Sequence, residues 1–131
     1  MKDRGRSILT IAAAMLALII STSSASTQDE TSGIIIGKWV RPDGGYVIEI
    51  KSVDASGKLD ASYYNPRPIN VAKAEASRNG AQIKVYIELQ DVNYPGSNYN
   101  LVYDSKSDQL KGDYYQAVSQ EHYSIFFERI R

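Results

Sequence analysis

From Gly33 onward the chain alternates apolar and polar residues over short stretches, each bounded by a turn signal. Period-two alternation marks a strand with one buried face. The clearest case is 82–90, where Ile83, Val85, Ile87 and Leu89 alternate with Gln82, Lys84, Tyr86, Glu88 and Gln90. The same reading predicts strands over 35–41, 46–51, 58–64, 70–77, 98–104, 109–117 and 122–130. Their boundaries are chemical. Arg41-Pro42-Asp43-Gly44-Gly45 combines a preset φ with glycines free to take positive φ. Asp54-Ala55-Ser56-Gly57 and residues 105–108 read as turns, Asn65-Pro66-Arg67-Pro68 as a stiff loop, and Tyr94-Pro95-Gly96-Ser97 as a break. Asn79-Gly80 is a strong hairpin signal. Only 71–76, with three alanines, leaves a helical alternative.

Eight strands with short connections predict antiparallel neighbours. The expected fold is all-β, an eight-stranded up-and-down barrel, which leaves no exposed edge. A two-sheet sandwich is the alternative and would need a longer crossover. Strict alternation also sorts the loops by end. Residues 41–45, 65–70, 91–98 and 119–122 fall at one end; 54–57, 79–80 and 105–108 fall at the other. All four prolines lie in the first set, with Asn65, Asn70, Asp91, Asn93, Asn98 and the single histidine. Stiff polar loops gathered at one mouth are where such scaffolds carry function.

The first 25 residues break this pattern. Met1 to Arg6 is net positive, 7–20 is an uncharged, mostly apolar run, and Ser23-Ser24-Ala25 fits a small-x-small cleavage site. The run is short for a membrane span. Residues 1–25 are therefore expected to be a signal peptide, 26–32 a disordered polar leader, and 33–131 one domain. No cysteine follows the run, so a lipid anchor of the lipoprotein type is excluded.

Composition narrows the function. No cysteine means no disulfide framework, thiol nucleophile or thiolate metal site. One histidine cannot build a multi-histidine zinc site, so no metal and no cofactor is expected. Fifteen bases balance fifteen acids; removing residues 1–25 takes three bases and one acid, leaving about −2. Such a balance argues against nucleic acid as a partner. The absence of cysteine and of any Asn-x-Ser/Thr site favours a bacterial periplasm or the medium over a eukaryotic secretory route.

Gly37-Lys38-Trp39 opens the first strand and Arg129 lies near the end of the last. This Gly-x-Trp with a distant arginine resembles the signature of the lipocalins and the wider calycin group. The resemblance implies that Trp39 plugs the closed end of a barrel and that Arg129 packs across it. The chain departs from typical lipocalins in its short length, its lack of a disulfide, and the absence of room for a C-terminal helix. With a single tryptophan, biotin binding of the avidin kind is not expected. Parity supports the pairing independently, because the first strand starts at the end where an eighth strand finishes. A guanidinium stacks well on an indole face.

Ten tyrosines accompany only two phenylalanines. Alternation points Tyr46, Tyr63, Tyr99, Tyr103 and Tyr114 inward, and Tyr64, Tyr86 and Tyr115 outward. A tyrosine-lined interior suits a planar or amphipathic ligand, though a small barrel can also fill itself with side chains. The candidate ligand-binding residues are Tyr63, Tyr99, Tyr103, Tyr114, Asn65, Asn70 and Asp91. Catalytic groupings can be drawn: His122 with Asp91 or Glu121, Ser97 or Ser119 as nucleophile, Asp43 with Asp91 as a carboxylate pair. None carries a motif, and catalysis is not expected. The expected role is non-catalytic binding of a small amphipathic or aromatic ligand by a secreted protein with no stable membrane insertion once the signal is removed. The alternative is a protein-binding module, such as a periplasmic protease inhibitor, whose leader enters a partner's cleft.

Overall fold

The computed structural model describes residues 32–131, with Ala17 and Ile19 as isolated positions. The expected signal peptide 1–25 and leader 26–32 otherwise lie outside the described residues. A short 3-10 turn, Gly33–Ile35, leads into β1 (Gly37–Val40), β2 (Val47–Val53), β3 (Leu59–Tyr64) and β4 (Pro68–Ile69). Then follow β5 (Val71–Asn79), β6 (Gln82–Asp91), β7 (Tyr94–Asp104), β8 (Gln109–Gln116) and β9 (Glu121–Arg129). They form one antiparallel sheet in the order β4-β3-β2-β1-β9-β8-β7-β6-β5. The sheet curls nearly 296° round an axis into an almost closed, calycin-like barrel.

The barrel has nine strands rather than eight. The extra one is the two-residue β4, inside the segment that reads as a stiff loop. Pro68 faces Tyr64 and Ile69 faces Tyr63. Proline is tolerated there because an edge position needs no donor on its open side. The strand expected over 70–77 is observed and the helical alternative at 71–76 falls away, because Ala74 and Ala76 pack toward the core while Lys73 and Glu75 point outward. One other expectation is corrected. Tyr94-Pro95-Gly96-Ser97 does not break the chain: β7 starts at Tyr94, directly after a tight turn at Val92 and Asn93, whose φ is 70°. A register shift opposite, between Glu88 and Gln90, accommodates Pro95 within the ladder.

The inward face is the core. Trp39, Ile48, Ile50, Ile87, Leu89, Tyr99, Leu110 and Phe127 are almost completely buried. Each such side chain contributes roughly 1.5–3 kcal/mol relative to exposure. Closure is incomplete between β3 and β5. They meet at the Lys58–Glu75 bridge and where the Ala76 amide donates to the Gly57 carbonyl at 2.7 Å. Gly57 has φ +90°, and a Cβ there would stand 2.3 Å from the Ala76 oxygen, so this corner closes only around glycine.

Candidate functional site

The lower end of the barrel is sealed. The Trp39 indole donates to the Ile35 carbonyl at 2.9 Å, which folds the 3-10 turn under the barrel. Arg129 pairs with Trp39 in register and lays its guanidinium 4.3 Å from the indole centre. It donates to the carbonyls of Ile34 and Ile36 and to both carboxylate oxygens of Asp108, at 2.9 and 3.2 Å. Gly37 takes φ +143°, and a Cβ on it would lie 2.8 Å from an Arg129 nitrogen. The glycine of Gly37-Lys38-Trp39 is thus the space through which the arginine reaches.

The upper end is built around a residue that turn chemistry concealed. Arg41 follows β1 and keeps the inward parity of Trp39, so its side chain enters the barrel. Its amide donates to Tyr46 at 2.9 Å and its carbonyl accepts from Gly45 at 2.8 Å, which closes the β1–β2 turn. The guanidinium is 4.5 Å from the Tyr46 ring centre and 5.4 Å from that of Tyr114. Nη1 donates to the Tyr99 hydroxyl at 2.9 Å, which shares a 2.8 Å hydrogen bond with Tyr63. Nε and Nη2 donate to the two oxygens of Asp43 at 2.9 and 2.7 Å. Burial works against the Arg41 charge, but Asp43 and Tyr99 outweigh it and hold the group more firmly protonated than a free guanidinium. Burial, with Tyr99 beside it, pushes the Tyr63 hydroxyl well above its ordinary range. Burial does the same for Tyr99 against the opposing pull of Tyr63 and Arg41.

The candidate residues divide into three groups. Tyr63, Tyr99 and Tyr114 form the aromatic floor under the mouth: Tyr99 and Tyr114 stack at 4.5 Å, and Tyr63 lies 5.7 Å from Tyr99. Asn65, Asn70 and Asp91 form one rim. Asn65 donates to Tyr94. The Asn70 amide donates to Asp91 at 2.8 Å, and the Val92 amide donates to its other oxygen at 2.7 Å. Those two backbone bonds hold the Asp91 carboxyl below its ordinary range. Tyr103 belongs to neither group. It sits four residues below Tyr99, about 13 Å along the strand, where its hydroxyl donates to Asp108 at 2.9 Å beside Trp39.

One cleft borders the floor at Tyr63 and a second borders Asp43, the partner of Arg41. The first, of about 460 Å³, lies in the seam between β3–β4 and β5 and is lined by Tyr63, Tyr64, Ile69, Asn70, Val71 and Asp91. The other, of about 380 Å³, is lined by Pro42, Asp43, Ser124, Ile125 and Phe126. It exists because β9 pairs with β8 from Glu121 to Glu128 but with β1 only at Arg129 and Glu128. Above Val40 the β1–β2 turn, not a strand, stands beside β9.

The residues of the catalytic groupings drawn from sequence are engaged with other partners. His122 pairs with Asp113 at 2.7 Å on the outer surface and lies against Tyr115. Ser97 is fully buried and accepts the Ala117 amide, while Ser119 bonds Gln116. The Asp43 carboxyl is lowered by its bond to Arg41, as Asp91 is by backbone amides, so neither is poised as a proton donor. Among the described residues no group of three or more His, Cys, Asp or Glu side chains could hold a metal. Among them, too, no helix is long and apolar enough to cross a membrane.

No family model, curated protein or solved structure matches the chain. The class rests on architecture: a nearly closed antiparallel barrel, calycin-like in fold.

Proposed function

We propose that this is a secreted bacterial binding protein, periplasmic or extracellular, non-catalytic and lipocalin-like, that takes a small amphipathic or aromatic ligand at its mouth. The observation that carries the reading is the stacked tyrosine floor around Arg41, with one cleft bordering Tyr63 and another bordering Asp43, the partner of Arg41. Tyr63 and Tyr114 supply ring faces, Asn65, Asn70 and Asp91 supply a polar rim, and Tyr99 anchors the floor. The packed core supports a ligand seated at the rim rather than deep in the barrel. Native mass spectrometry of the protein purified from its own host tests this. An adduct of a few hundred daltons that leaves under denaturing spray is expected. A bare mass would overturn the small-ligand reading.

The protein-binding alternative has one observation in its favour. Tyr123, Phe126 and Ile130 are each more than two-fifths exposed and share one strand region. On that reading, deleting residues 26–32 abolishes partner capture while Tyr114→Ala leaves it intact. A small-ligand protein gives the reverse.

A further inference from the structure

The ion pair at the mouth is unequal. The Arg41 side chain is 8% exposed and that of Asp43 is 57% exposed. The guanidinium also lies against the rings of Tyr46 and Tyr114 and donates to the Tyr99 hydroxyl. The Nε–Nη2 edge is held by the exposed Asp43, with the two-pronged geometry by which arginine recognises carboxylates. Among the described residues no other side chain donates to the Asp43 oxygens. Rotation about its side-chain bonds alone would release it to water, with β1 and β2 unmoved. The mostly apolar cleft of about 380 Å³ begins at Asp43 and runs along Pro42, Ile125 and Phe126.

Resting on the small-ligand reading of the mouth, we infer that Arg41 is a masked recognition site for an organic carboxylate with an aromatic or apolar tail. Asp43 is its built-in occupant. The incoming carboxylate takes the Nε–Nη2 edge, Asp43 moves into solvent, and the tail lies against Ile125 and Phe126. No bond is made or broken. Two charge-assisted hydrogen bonds replace two others, and the buried cation stays neutralised throughout. The tail is what gives selectivity. A carboxylate tethered two residues away competes at an effective concentration on the order of millimolar or more, so acetate does not displace it.

The test uses 3-phenylpropionate as probe and 3-phenylpropionamide as its neutral counterpart, titrated by two-dimensional NMR. The protein is expressed from the full coding sequence. Asp43→Asn removes the competing charge and keeps the shape of the turn. It is expected to tighten 3-phenylpropionate at least tenfold, with shifts at Arg41, Ile125 and Phe126 and no binding of the amide. Phe126→Ala, at an outward-facing position, should weaken the same probe severalfold without changing the fold. Equal affinity in the wild type and Asp43→Asn, or equal binding of acid and amide, would overturn the inference. The two readings fail separately. A natural adduct without a carboxylate leaves the small-ligand function standing and removes the Arg41 site. Tenfold tightening in a protein that carries no natural adduct does the opposite.

Discussion

The barrel has an arginine at each end, and each lies over aromatic rings with an aspartate on its edge. At the lower end Arg129 and Asp108 are similarly buried, 20% and 25% exposed, and the guanidinium also binds two carbonyls from the approach to β1. Asp108 is held twice more, by Tyr103 and Arg131. At the upper end Arg41 is the one side chain among the described residues that binds Asp43. The same pair of side chains therefore makes a lock in one place and a removable cover in the other. What differs is how many further partners restrain the aspartate.

The comparison can be broken in order of expected effect. Trp39→Ala removes the fully buried indole that Arg129 covers, and should cost about 3–5 kcal/mol in urea denaturation. An unchanged melting temperature would remove the closed-end assignment. Tyr99→Phe should cost about 2 kcal/mol, since Arg41 Nη1 and the Tyr63 hydroxyl lose a shared buried partner. Asp108→Asn should cost about 1.5 kcal/mol and Asp43→Asn less than about 1, because an exposed partner is screened by water. Equal losses in that pair would erase the distinction between lock and cover.

The smallest effect is that of acid. Arg129 lowers the Asp108 carboxyl and Arg41 lowers that of Asp43 from the ordinary 3.8. Both groups therefore bind a proton less readily in the folded chain than in the unfolded one. Their contribution is complete above the ordinary value and is lost as pH falls through the lower folded values. Melting temperature should fall below about pH 4, and Asp108→Asn should flatten that fall more than Asp43→Asn.

Much of the architecture is legible in the sequence, because alternation with Gly, Pro and Asn punctuation has few solutions. Strand 82–90 is observed as Gln82–Asp91 and 109–117 as Gln109–Gln116. What escapes is of three kinds. A two-residue strand such as Pro68–Ile69 has no period to detect. Proline and glycine at 95 and 96 read as a terminator, yet a bulge carries the strand through them. Arg41 was hidden by its charge and by the Pro-Asp-Gly-Gly that follows it. Its parity with Trp39 was the available signal, and it points inward. Tyr103 shows the limit of parity, which tells which face a side chain occupies but not how far along the barrel it lies.

The sheet order also bears on how the molecule assembles. It is two simple meanders, β1–β4 and β5–β9, joined by the β1–β9 pairing and by the contacts at Gly57 and Lys58. Within each meander, neighbours in space are neighbours in sequence, and hairpins of that kind form in about microseconds. The join is different in kind: Ile36 and Arg129, which meet there, are 93 positions apart. Bringing such distant segments together is what makes β-topologies slow. On this topology Arg129 is expected to clasp the two half-sheets late in folding. Arg129→Ala should accelerate unfolding far more than it slows folding in stopped-flow measurements.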